Sequence, residues 1–174
     1  MSTLVRLGWR EKAYQLLQYL LAGQRPREWN QWPEVVWRDS TAPRFLGDLP
    51  HTWVGSDFAR SLLDMFAYVR DGDSTLVLAA GIPLEWMQDT TGVRLEGLPV
   101  ERGRVSLTIR REGDNVVAVV DGTAPLPSGG VVLQMPAELL RRGVRLNDQS
   151  VQPDSSGGVK LGSLPARAVF RVGN

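Results

Sequence analysis

The segment GQRPREWNQWPEVVWRDSTAPRFLGDLPHTWVGSDF, residues 23–58, holds the densest chemistry in the chain. Trp29, Trp32, Trp37 and Trp53 stand among Glu28, Glu34, Asp39, Asp48, His51 and Asp57. Indole faces stack on the apolar C–H faces of sugars, while carboxylates and an imidazole bind hydroxyl groups or move protons. A glycosidase places two carboxyl groups on opposite sides of the scissile bond, one as acid and the other as base or nucleophile. The tryptophans also suit a plainer role, filling the interface between helices and sheets, because buried tryptophan is most often packing. His51 has the same two readings, catalyst or hydrogen-bonded structural residue.

Composition narrows the rest. The 174 residues include no cysteine, which removes disulfides, thiolate nucleophiles and cysteine-ligated metal sites together. His51 is the one histidine, so a metal would find only carboxylates around it, and neither a metal nor a cofactor is expected. Twenty basic against nineteen acidic side chains give a formal charge of +1, which argues against a nucleic-acid partner. No apolar run reaches about 18 residues, so no membrane span is expected. The opening MSTLVRLGWREKAYQ lacks a long apolar stretch and does not read as a signal peptide; it gives no localisation. The apolar share of 43% and charged share of 22% are near the globular average. Weaker patterns carry little. Ser155-Ser-Gly-Gly158 does not sit between a strand and a helix as a phosphate loop would, and Arg141-Arg142 reads as a solvated pair.

Two kinds of element must position these residues. All six tryptophans and all three tyrosines lie in the first half, whereas most glycines lie in the second. In the first half, Trp9, Ala13, Leu16, Leu17, Leu20 and Leu21 repeat at three and four, which predicts a helix over 9–22 ended by Gly23 and Pro26. A second helix is expected over 56–70. Ser56 or Gly55 would cap it, Asp57 would sit in its first turn, and Phe58, Leu62, Met65, Phe66 and Val69 would form its buried face. The roughly thirty residues between the helices are longer than ordinary loops and too rich in tryptophan for a solvated linker.

From residue 75 the pattern changes to short strands and turns. Residues 75–80 are a continuous apolar run, 92–97 and 104–110 alternate, and Glu112-Gly-Asp-Asn115 is a turn leading into 116–120. Residues 131–135, 144–146, 159–161 and 166–172 supply further strands, and Gly81-Ile-Pro-Leu-Glu-Trp86 a helical turn. Seven or eight short strands predict an antiparallel β-sandwich. The chain is thus expected to be mostly β: a helical segment with a tryptophan-rich loop over 1–73, then a sandwich over 74–174.

The phrases LPHTWVGSDFARSLLDMF, STLVLAAGIPLEWM, GVRLEGLPVERGRVSLTIRREG and VVLQMP…GVRLNDQ resemble the C-terminal end of bacterial six-hairpin glycosidase-like proteins, some of them described as coagulation factor 5/8 type-like. The layout is also similar to α-L-rhamnosidase-like enzymes. The resemblance runs from about Gly23 onward. It implies an (α/α)6 toroid whose last helix is followed by a small β-sandwich, so the two helices here would be a remnant of that toroid. It implies Glu34 as the carboxylate facing a sugar, with Glu28 as alternative, and His51 as a pocket residue at the mouth of the last helix; the nearby Trp29, Trp32, Trp37 and Trp53, read from the loop's own chemistry, would add to that sugar pocket. The partner carboxylate is missing, so the chain would be inactive by itself and would brace a carbohydrate-processing parent, either as a piece of it or as a truncated gene product. Uncovered apolar helix faces would favour a homodimer through the helical segment. The alternatives are a free-standing carbohydrate-binding module, with an exposed row of tryptophans, and a protein-interaction domain.

Overall fold

In the computed structural model, the described residues are 1–37, 39, 47–100, 103–123 and 126–172. The chain divides into two compact units, Met1–Asp64 and Met65–Asn174.

The first unit is helical. Helix α1 spans Ser2–Arg6 and α2 spans Arg10–Ala22. The three-and-four spacing places Ala13 and Leu17 of α2 in the interior with Val5 of α1. Trp9, expected in that stripe, is instead the exposed residue before α2, where the Lys12 ammonium lies 4.6 Å from its ring centre. Helix α3 covers Thr52–Phe66, so it begins four residues before the expected start at 56 and stops four short of 70. The buried Asp64 takes Arg60 at 3.3 Å and Arg6 at 3.6 Å, and Ser2 donates to Ser61 at 3.2 Å, which ties α1 to α3. Of the segment between α2 and α3, residues 38 and 40–46 lie outside the described residues. The rest is held by a short antiparallel clasp. Glu34 N–H donates to Asp48 C=O, Gly47 N–H to Val35 C=O, and His51 N–H to Trp32 C=O, at 2.9–3.1 Å.

The second unit is mostly β. Its described residues hold ten strands in two sheets, with two short helices, α4 (Leu84–Met87) and α5 (Ala137–Leu140). The four-stranded sheet has the order β1 (Ala67–Val69), β2 (Leu76–Leu78), β6 (Val131–Gln134), β9 (Gly158–Leu161). The six-stranded sheet runs β3 (Val93–Val100), β4 (Gly103–Glu112), β5 (Asn115–Gly122), β10 (Ala166–Arg171), β7 (Val144–Leu146), β8 (Gln149–Val151). The change from helix to strand falls before residue 74, because Ala67–Val69 already pairs with Leu76–Leu78. Val69, expected on a buried helix face, is therefore an exposed strand residue.

Strand pairing is antiparallel with one exception: β2 and β6 run parallel, Leu76 opposite Val131. The four-stranded sheet is thus mixed, not purely antiparallel. Both β2 and β6 are apolar at three successive buried positions instead of alternating, the pattern of strands covered on both faces. In the other sheet β4 and β10 alternate, while β5 is buried at three successive positions, Val116 to Ala118, before it alternates. Val105, Leu107 and Ile109 of β4, Val116, Ala118 and Val120 of β5, and Ala168 and Phe170 of β10 point inward. They share one hydrophobic cluster with Leu78, Leu133 and Val159 of the first sheet and with Met87 and Leu139 of α4 and α5. The β4–β5 hairpin turns at Gly113 and Asp114, where Gly113 takes a φ of +59° that a side chain would resist. Among the described residues no helix is long and apolar enough to cross a membrane.

Candidate functional site

Tyr19, Trp32, Trp37 and Phe58 of the first unit meet at the C-terminal end of α2. Gly23 closes that helix through its N–H to Leu20 C=O at 3.0 Å. Trp32 Nε1–H donates to the same carbonyl at 3.0 Å, filling one of the acceptor positions that a helix end leaves open. Its ring stacks on Phe58 of α3, with centroids 4.0 Å apart and planes 29° off parallel. Trp32 is therefore a strut between α2 and α3.

A hollow of about 270 Å³ opens beside this strut, lined by Tyr19, Leu20, Arg25, Trp32, Val36 and Trp37 among others. The Arg25 guanidinium donates to Trp37 C=O at 2.7 Å, which fixes one wall. Tyr19 and Trp37 are exposed at 59% and 50%, so their rings are open to solvent. The volume is slightly below the roughly 300 Å³ at which small-molecule sites usually begin. Aromatic faces with a charged fork at the rim can stack on a ring and bind its hydroxyl groups.

The other residues singled out by sequence are placed elsewhere. Trp29 and Glu28 lie in the 3₁₀ turn Arg27–Trp29, both exposed. Trp53 is at the start of α3 and is 72% exposed. Glu34 is exposed on the clasp. Neither Glu28 nor Glu34 makes a side-chain hydrogen bond or ion pair among the described residues, and the described lining of the hollow includes neither. His51 is half-buried just ahead of α3, and its Nδ1 accepts the Val54 N–H at 3.3 Å, so it caps the helix. The caps expected at Ser56 or Gly55 are interior helix positions for that reason, and Asp57 lies beyond the first turn. Trp32 and Trp37 alone of the seven named residues line the hollow among the described residues. Tyr19 and Arg25 were not among the seven. Tyr19 offers a signal in sequence, an aromatic side chain on the polar face of α2; Arg25 offers none.

Comparison of the chain with protein-family models, with curated proteins and with solved structures finds no match.

Proposed function

We propose that this chain is the C-terminal region of a six-hairpin glycosidase-like protein, in which the two sheets form a β-sandwich and the helices are the remnant of an (α/α)6 toroid. In this reading the chain braces a carbohydrate-processing body and is inactive by itself. One observation carries it. The second unit has a hydrophobic core, whereas the first leaves Leu7, Trp9, Tyr19, Leu21, Trp29, Val35, Trp37, Trp53 and Leu63 exposed. Nine large apolar side chains among the described residues of this unit are more than single scattered exposures, and they suit a surface that other helices cover.

Two measurements test this. The reading frame upstream of Met1 is expected to continue with helical-hairpin periodicity; a stop codon directly upstream in every related genome overturns the proposal. In sedimentation at micromolar concentration the chain is expected to dimerise through the first unit, and a clean monomer argues against uncovered apolar faces seeking cover.

The hollow beside Trp32 favours a second reading, direct carbohydrate binding by this chain. Tryptophan fluorescence titrated with a panel of neutral glycans separates the two. Saturable quenching supports binding, and a flat response leaves the bracing role.

A further inference from the structure

The outer face of the six-stranded sheet collects arginine side chains into a cleft. Because Ala166, Ala168 and Phe170 of β10 point into the core, Arg167, Val169 and Arg171 face outward. Register places Arg171 opposite Asn115, Val169 opposite Arg145, and Arg145 opposite Ser150. Beyond the last β10–β7 pair, Phe170 with Val144, the chain at Gly143 has a φ of +86°, and a Cβ there would meet nothing within 4 Å. Gly143 and Arg171 line one concavity there. Two adjoining concavities of about 310 and 410 Å³ share Asn115, Arg142 and Arg171. The smaller adds Arg145, Ser150 and the outward-facing Val169, and the larger adds Asp114.

Charge pairing separates these arginines from their neighbours. Arg110 donates to Glu112 at 2.8 and 3.0 Å, and Arg167 reaches the other oxygen of that carboxylate at 3.4 Å. Arg145 donates to Asp148 C=O at 3.0 Å and lies 3.6 Å from the Asp148 carboxylate. The side chains of Arg142 and Arg171 make no hydrogen bond or ion pair among the described residues, with Asp114 or any other. Arg141 and Arg142 are both exposed, as a solvated pair would be, and Arg141 lines a different hollow, with Asp154.

We propose that this cleft binds a tetrahedral oxyanion, a sulfate or phosphate group, through Arg142 and Arg171, with Asn115 and Ser150 as neutral donors. A guanidinium is a planar fork that takes two oxygens at once. A carboxylate has only two oxygens and satisfies one fork, whereas a tetrahedral anion has edges for two. Like charges converging in a concave site raise the local potential for an anion, and Asp114 lowers it within the larger concavity. This inference is independent of the carbohydrate reading above.

The test is an NMR titration of the full chain, following backbone amides and arginine Nε–H groups. Sodium sulfate, sodium phosphate and sodium acetate are added at ionic strength held constant with chloride. Saturating shifts are expected at Arg142, Arg171 and Asn115 with sulfate or phosphate, and the tighter of the two identifies the ester class. R142A/R171A is expected to weaken binding about tenfold or more, as the loss of charge-assisted hydrogen bonds implies. R27A/R94A removes the same charge elsewhere and is expected to leave the dissociation constant within about twofold. Shifts that do not saturate, equal weakening in both double variants, or acetate binding as tightly as sulfate overturns the proposal.

Discussion

His51 Nδ1 accepts the Val54 N–H at 3.3 Å while the His51 carbonyl accepts the Gly55 N–H at 3.1 Å, so the one imidazole of the chain closes the N-terminus of α3. The acceptor meets the third helical residue, where a capping oxygen would stand. His51→Ala is expected to lower stability by about 1 kcal/mol, and His51→Asn, which keeps an acceptor at similar reach, by a few tenths. Chemical denaturation followed by helical circular dichroism measures both. If His51→Asn keeps full stability yet abolishes glycan quenching, the imidazole belongs to a ligand site and the capping role is secondary.

The loop between β1 and β2 depends on Asp73. Its carboxylate takes Arg70 Nε at 3.0 Å and Nη2 at 2.6 Å, and the Thr75 N–H at 3.0 Å. The Arg70 guanidinium, followed by Thr75, holds this carboxyl far below the usual value of 3.8. The folded state therefore favours the charged form. The stability this group contributes is complete above about pH 4 and is lost as the pH falls below that toward the folded value. Asp73→Asn is expected to melt at lower temperature at pH 7 and to show a flatter decline between pH 4 and pH 2. Thermal melts across pH 2–7 check it; an identical acid limb in the two proteins would refute the assignment.

That same loop is pressed against the turn before β6. A Cβ on Gly129 would lie 2.2 Å from Asp73 C=O and 2.3 Å from Thr75 N, both backbone atoms that cannot rotate away. Thr75 Oγ1 also donates to Gly129 C=O at 3.1 Å, and Thr75 is buried. Gly129→Ala is expected to cost about 3 kcal/mol or more, or to prevent folding. Gly162, whose Cβ would meet nothing within 4 Å and whose φ lies outside the left-handed region, is the contrast. Gly162→Ala is expected to be neutral or to stabilise by up to about 1 kcal/mol through the unfolded state. Urea midpoints with m-values measure both.

What could be read from sequence followed the range of the interaction. Ala13 and Leu17 sit one turn apart, and Val105, Leu107 and Ile109 alternate, so local periodicity revealed α2 and β4. The turn at Gly113 and Asp114 carried its own residue signal. Strand β1 did not, because Phe66 and Val69 continue the helical spacing of α3 and only pairing with Leu76–Leu78 turns those residues into a strand. The parallel β2–β6 pair joins residues more than fifty positions apart, which no local pattern encodes. Of the site, Trp32 and Trp37 were visible in composition, but the arginine cleft depends on Arg142, Arg145 and Arg171 meeting across strands, and nothing in their spacing announces it.

Trp32 and Trp37 allow packing and binding to be measured apart. Trp32 is half-buried, hydrogen-bonded to Leu20 and stacked on Phe58, whereas Trp37 lines the same hollow with half of its surface in solvent. Trp32→Phe keeps the stack and loses the N–H donor, so a loss of about 1 kcal/mol is expected; Trp32→Ala loses both and about 3 kcal/mol. Trp37→Ala removes no buried core surface, and a change within about 0.5 kcal/mol is expected. If the hollow binds a sugar ring, Trp37→Ala abolishes the saturable quenching while the protein remains as stable as the parent. Trp53→Ala, at the most exposed indole, leaves that quenching curve with its midpoint unchanged. A result in which Trp53 and Trp37 matter equally would move the binding surface out of the hollow and onto a planar row of tryptophans.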